Sequence, residues 1–316
     1  MSFAPSFAAM FMTEDDVRID AAHTPSRGAA DLGIVVAHGF TGSLRELTTR
    51  RITHVLSEFG GVVSFDFRGH GRSGGLSTVG DLEVLDLEAA VRHTRMIGYT
   101  RVATVGFSMG GAVVVRHAGL RGATRSGGAM VGPAGDGLLS GAGGGLEAAA
   151  VLSPVMDGPV GLDGDAPLPG RGGPGPELVN AALGDGRGRV DAVVSISSPA
   201  RWYYRGTKPM RQVHWAIERR LGRWATRLGR GTRIRKGGWD PVPLAPYEAA
   251  ATVTPTPLLV VHGDSDSFFP VEHALQLYGA ARDPRELWLE PGFGHAETAA
   301  TPELIRRIGA WVSART

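Results

Sequence analysis

The sequence predicts an α/β fold, a mostly parallel, doubly wound sheet with a small helical cap. Three observations carry that expectation. Short β-branched runs at residues 32–37, 61–66, 101–105, 190–196, 257–262 and 286–290 alternate with segments of helical periodicity, the pattern of βαβ units. His38, Asp66 and Ser108 fall at the C-terminal ends of such runs, where parallel sheets place their sites. The strand at Arg101–Val105 leads into Gly106-Phe107-Ser108-Met109-Gly110 and then into a helical stretch closed by Gly119. Strand, sharp turn and helix force a serine out above the sheet edge, and the glycines admit the close backbone contacts that such a turn needs. The N–H groups at the start of the following helix favour negative charge at the same spot.

Composition bounds the rest. A chain of 316 residues with 42% hydrophobic content can bury one sizeable core. No apolar run is long enough to span a bilayer. The opening MSFAPSFAAMFM is apolar but lacks a basic leader and cleavage site, and is not read as a signal peptide. Zero cysteines exclude disulfides, zinc–thiolate sites and thiol nucleophiles, and fit a cytoplasmic location. A net charge of +2 gives no nucleic-acid signal.

In chain order, Phe11 to Asp20 reads as an N-terminal hairpin around Glu14-Asp15-Asp16, and Leu32–Ala37 as a buried strand ending in His38-Gly39-Phe40-Thr41-Gly42-Ser43. Leu44 to Phe59 reads as a helix, with Ser43 as N-cap and Glu46 at the reciprocal position. Gly61–Asp66 is the next strand, followed by the turn-rich Phe67 to Gly75. Asp81 to Ile97 has helical spacing and stops at Gly98. From about Arg121 to Arg189 periodicity collapses into GGAMVGPAGDG, SGAGGG and PLPGRGGPGPE, which reads as an unpacked, flexible insertion, with a short helix fitting at 146–152. The domain reading is a core of 1–120 and 190–316, an insertion at 121–189, and a basic cap at 200–246 within the core.

The cap segment 201–236 carries twelve arginines and lysines against one acid, Glu218. Val213, Ile217, Leu221, Trp224 and Leu228 step at helical intervals, and Trp202, Tyr203, Tyr204 and Trp215 add aromatic bulk. The expectation is a helical cap packed over the site by its apolar face, with a solvated basic outer face. An anionic membrane surface or an acidic carrier is a lesser reading of that charge. Without a recognition module, nucleic acid is not expected as a partner. Beyond the cap, Pro257–His262 and Glu286–Glu290 are strands, Val271–Ala281 and Pro302–Ala314 helices.

A serine hydroxyl needs a base in hydrogen-bond reach, and that base needs a carboxylate to fix its tautomer. His295, in a Gly-Phe-Gly-His loop after the last strand, is the base candidate. Asp264 and Asp266 are the carboxylate candidates. Asp266, two residues deeper in the loop, is preferred, with Asp264 as its structural neighbour that could simply cap the turn.

His38-Gly39-Phe40, Gly106-Phe107-Ser108-Met109-Gly110-Gly111, His262-Gly263-Asp264-Ser265-Asp266 and Gly294-His295 together resemble the α/β-hydrolase superfamily, as does the Asp66–Ser73 loop. The resemblance covers most of 30–120 and 190–316. It implies a triad of Ser108, Asp266 and His295. His38 to Ser43 is similar to the oxyanion loop of small bacterial carboxylesterases and monoacylglycerol lipases, which implies backbone N–H donors at Phe40 and Met109. His38 is expected to be a brace, and Asp66, Arg68 and His70 loop architecture. Relatives that open epoxides or cleave carbon–halogen bonds place aspartate at the elbow, so serine argues against both. The long insertion and the basic cap depart from the family pattern.

The expected function is hydrolysis of a carboxylic ester or thioester through an acyl-enzyme, with no cofactor or metal implied. Cap residues Trp202, Tyr203, Trp215 and Trp224 are expected to wall the acyl side. Two further readings are acyl transfer or thioester cleavage on a CoA- or carrier-bound substrate, and a non-catalytic binding protein on the same scaffold. The small-molecule partner is an acyl ester or thioester, and the oligomeric state is left open.

Overall fold

The computed structural model describes residues 3–125, 176–183 and 188–316. Eight strands form one sheet: β1 (Phe7–Met12), β2 (Arg18–Thr24), β3 (Leu32–Ala37), β4 (Gly61–Phe65), β5 (Arg101–Phe107), β6 (Ala192–Ile196), β7 (Leu258–Gly263) and β8 (Arg285–Glu290). Their order is β1-β2-β4-β3-β5-β6-β7-β8. The first two are antiparallel, joined by the expected N-terminal hairpin, and β2 pairs antiparallel with β4. Every pairing from β4 to β8 is parallel.

The central strands are buried along their whole length, as strands covered on both faces must be. Their side chains alternate between two cores. Leu32, Ile34 and Val36 face one layer, built with α1 (Leu47–Leu56) and α10 (Pro302–Arg315). Val35 and Ala37 face the other, built with α2 (Glu83–Met96), α3 (Met109–Arg125), α7 (Pro246–Ala250) and α8 (Glu272–Ala280). Gly98, at a φ of +108, ends α2 as expected.

The structure corrects several local expectations. Helix α1 begins at Leu47, and Ser43 does not cap it: the Ser43 hydroxyl donates to Asp66 Oδ1 at 2.8 Å. The Ser43 oxygen in turn accepts from Arg45 N–H at 3.2 Å, a bond within the turn that precedes the helix rather than at its first residues. Helix α3 starts directly after Ser108 and runs to Arg125, and a further helix, α4 (Pro176–Leu183), buries Val179, Ala182 and Leu183. Ordered structure thus enters both ends of the 121–189 range. Its eight apolar-rich residues are too few to stand out among glycines and prolines. The helix expected at 146–152 lies outside the described residues.

The cap differs most. It is two helices, α5 (Lys208–Glu218) and α6 (Arg220–Arg230), broken at Arg219, whose backbone is extended. Trp215 is 51% exposed, Leu221 72%, Trp224 62% and Leu228 66%, so this part of the apolar stripe does not pack onto the core. His214, Gly222 and Thr226 form the buried row instead. Periodicity identified an apolar face correctly, but the break at Arg219 turns α6 so that this face meets solvent. No helix among the described residues is long and apolar enough to cross a membrane.

Candidate active site

Ser108 directly follows β5 at a φ of +50, in the left-handed region that costs a side-chain-bearing residue roughly 1–3 kcal/mol. Its surroundings hold it there. The Ser108 N–H donates to the Ile196 carbonyl at 2.9 Å, and its own carbonyl accepts from Ala112 N–H at 3.2 Å. A Cβ at Gly106 would strike the Gly110 backbone, and one at Gly110 would strike the carbonyls of Ala37 and His38. Only glycine permits a turn this tight between β5, β3 and α3.

Two other strand ends supply partners. Ser108 Oγ lies 3.0 Å from His295 Nε2. His295 sits on the loop after β8, at the N-terminal end of the short helix α9 (Ala296–Ala299). Its Nδ1 lies 2.9 and 3.0 Å from the two oxygens of Asp266, on the loop after β7. Nδ1–H therefore points at the carboxylate, leaving Nε2 free to accept the serine proton. The Asp266 side chain is fully buried, and that burial pushes its carboxyl up. The hydrogen bond and charge of His295, with the N–H groups of Phe269 and Phe268, outweigh burial and hold it below the usual carboxylate range. Asp264, the rival carboxylate, instead accepts from Gly292 N–H at 2.7 Å and from the Ser265 hydroxyl at 3.0 Å, capping the turn.

The loop after β3 faces Ser108 from the other side, and two imidazoles brace it. His38 Nδ1–H donates to the Gly39 carbonyl and its Nε2 accepts from Phe67 N–H. His70 Nε2 accepts from Thr41 N–H at 3.2 Å while its Nδ1–H donates to the Arg68 carbonyl. Burial, reinforced by His38, pushes His70 down to about 3. Asp66 accepts from Ser43, from Leu44 N–H and from Arg72 N–H, and Arg68 is clamped between Asp15 and Asp86. These are loop architecture, as expected. Phe40 N–H donates to no protein acceptor among the described residues. Met109, the first residue of α3, carries an N–H with no partner inside its helix.

Two contacts went unforeseen. Glu297 Oε1 accepts from Gly39 N–H at 2.6 Å, tying the β3 loop to the His295 loop. Phe268 stacks on the His295 ring, centroids 4.2 Å apart, which limits rotation of the imidazole. Of the cap aromatics, Trp202 reaches inward: its ring crowds Gly80, which in turn neighbours the Met109 side chain. Tyr203 packs edge-on against Trp239 and is half exposed, and Trp215 and Trp224 stand on the outer surface. A hydroxyl, an imidazole and a buried carboxylate in line, beside two unengaged N–H groups, can generate an alkoxide-like nucleophile and receive an oxyanion.

Comparison with known proteins agrees with the fold described above. The esterase Pf2001 of Pyrococcus furiosus shares the fold with a TM-score of 0.61 at 20% identity, covering 99% of this chain and 93% of that one. The esterase domain of a Rhodothermus marinus protein gives 0.55 at 18% identity, over 98% and 97%. Est1E of Butyrivibrio proteoclasticus, solved with ferulic acid bound, gives 0.54 at 16%, over 97% and 99%. By sequence, the uncharacterized protein YfhR of Escherichia coli K12 is 40% identical over 47 residues, a stretch covering 15% of this chain and only 16% of YfhR. A model of the alpha/beta hydrolase family matches residues 34–306, and the chain belongs to that family.

Proposed function

We propose that the protein is a serine hydrolase that cleaves a carboxylic ester or thioester through an acyl-enzyme on Ser108. The observation that carries this reading is the unbroken line from Ser108 Oγ through His295 to the buried Asp266. His295 Nε2 takes the hydroxyl proton as Ser108 Oγ attacks the carbonyl carbon, and Asp266 stabilises the imidazolium that forms. The N–H groups of Phe40 and Met109 receive the developing oxyanion, each donor contributing about 3–4 kcal/mol in the transition state. His295 then protonates the leaving alcohol or thiol, and water, deprotonated by the same nitrogen, releases the acid. Trp202 and Phe268 would wall the substrate, in place of the outward-facing Trp215 and Trp224. The esterases among the structural neighbours fit an ester substrate.

The two aspartates of the β7 loop test the reading. On a panel of p-nitrophenyl acyl esters, Asp266→Asn should lower kcat by about 10⁴-fold, because His295 loses its tautomer and its counter-charge. Asp264→Asn should retain activity within about tenfold, since only a turn bond is altered. Equal losses in the two variants would refute the assignment.

A further inference from the structure

The cap presents a surface that ester cleavage itself does not require. Along α6, Leu221, Trp224 and Leu228 recur at intervals of three and four, all exposed. Gly222 packs against the backbone of Trp215 and Ala216, so exposed Trp215 lies at the same end of the helical pair. Arg220, Arg227 and Arg230 form a second exposed row, and Arg223 turns back onto the carbonyls of Ile217 and Glu218. Gly222 and Thr226 make the buried third row. The helix thus rests on the protein by Gly222 and Thr226 and turns both its apolar and its cationic rows outward.

Charge on this segment is nearly all of one sign. Its one acid, Glu218, is already held by Arg205 at 2.5 Å and by His214 at 3.1 Å. Arg219, Arg220, Arg227 and Arg230 have no carboxylate within ion-pair distance among the described residues. The helical pair is also anchored beside the site. Thr207, the N-cap of α5, donates its hydroxyl to the Phe268 carbonyl at 2.9 Å, beside His295.

We propose that the outer face of α5 and α6 docks the enzyme on an anionic lipid surface, and that Ser108 draws its ester from that surface. The second half of this statement rests on the serine-hydrolase reading; the first does not. A helix with Trp and Leu on one row and Arg on another settles in the plane of a bilayer interface, its apolar row among the acyl chains and its cations on the phosphates. An acidic protein would satisfy the arginines but leave four large apolar side chains in water. A second copy would cover the apolar row but bring arginine rows together, with the segment's one acid already paired.

The test is binding of the full chain to vesicles of phosphatidylglycerol mixed with phosphatidylcholine, against phosphatidylcholine alone, read by co-sedimentation. Wild type and Ser108→Ala should both prefer the anionic vesicles, with binding weakened by salt. Leu221→Ser/Leu228→Ser and Arg220→Gln/Arg227→Gln should each bind at least about tenfold more weakly. Both double variants change exposed residues only, and should turn over a water-soluble short-chain ester like wild type. Failure of wild type to prefer anionic vesicles overturns the proposal. So does full binding by the leucine variant, the result expected of charge alone, or a dimer lost in that variant without vesicle binding. Vesicle binding by a protein that hydrolyses no ester would uphold docking and refute the hydrolase reading instead.

Discussion

Ser108, Ser197 and Ala296 all hold positive φ values, of +50, +50 and +51, within one small region of the structure. Ser197 Oγ accepts from Ala296 N–H at 3.1 Å, so the end of β6 fixes the backbone next to His295. Strain at several side-chain-bearing residues persists only where neighbours over-determine it, and here it places hydroxyl and imidazole in register. Glu297 does the same for the opposite wall by holding Gly39 N–H, one residue before Phe40, the donor we propose for the oxyanion. Glu297→Ala should lower kcat about 10- to 100-fold with little change in KM, because a loosened donor is felt chiefly in the transition state. Glu297→Gln keeps an acceptor and should recover most of the loss, and an unimpaired alanine variant would refute this role. Ser108, His295 and Asp266 were legible because each lies in a short local pattern of glycines and strand ends. Glu297 was not, because its partner is 258 residues away and no local pattern marks a carboxylate that accepts a distant N–H.

At the scale of elements, His70 ties the loop after β3 to the loop after β4. His70 Nε2 must accept from Thr41 N–H, so a proton there would set two donors against each other. Burial and the nearby His38 hold its pKa near 3 in the folded protein, against an ordinary 6.5. Between those values the unfolded chain binds a proton that the folded chain refuses. Stability therefore falls as pH drops through this window, by up to about 1.4 kcal/mol per pH unit from this group. His70→Gln, which can still donate and accept, should melt with a Tm less dependent on pH between 6.5 and 4 than wild type. Parallel curves for the two proteins would contradict the argument. The strands bracketing these loops were readable because burial on both faces leaves unbroken β-branched runs. The start of α1 was misread because Ser43 resembles a cap until Asp66 is brought beside it. The cap was misread for a different reason: a helical period names the apolar face of α6 but not the phase that covers it.

For the whole molecule, parallel pairing from β4 to β8 carries the ends of β3, β5, β7 and β8 to one edge of the sheet. Residues spread from Gly39 to Glu297 thereby meet at one hydroxyl, while two apolar cores lock the sheet from both faces. Thr207, the N-cap of α5, bonds the Phe268 carbonyl and so ties the helical pair to the same edge. Activation of Ser108 by this assembly is the property on which the proposed chemistry depends. Intact-mass measurement after exposure to a fluorophosphonate probe tests it most directly. Wild type should gain the mass of a single adduct, and Ser108→Ala, folded to the same extent, should gain none. An unmodified wild type, or an adduct that persists in Ser108→Ala, would contradict the account.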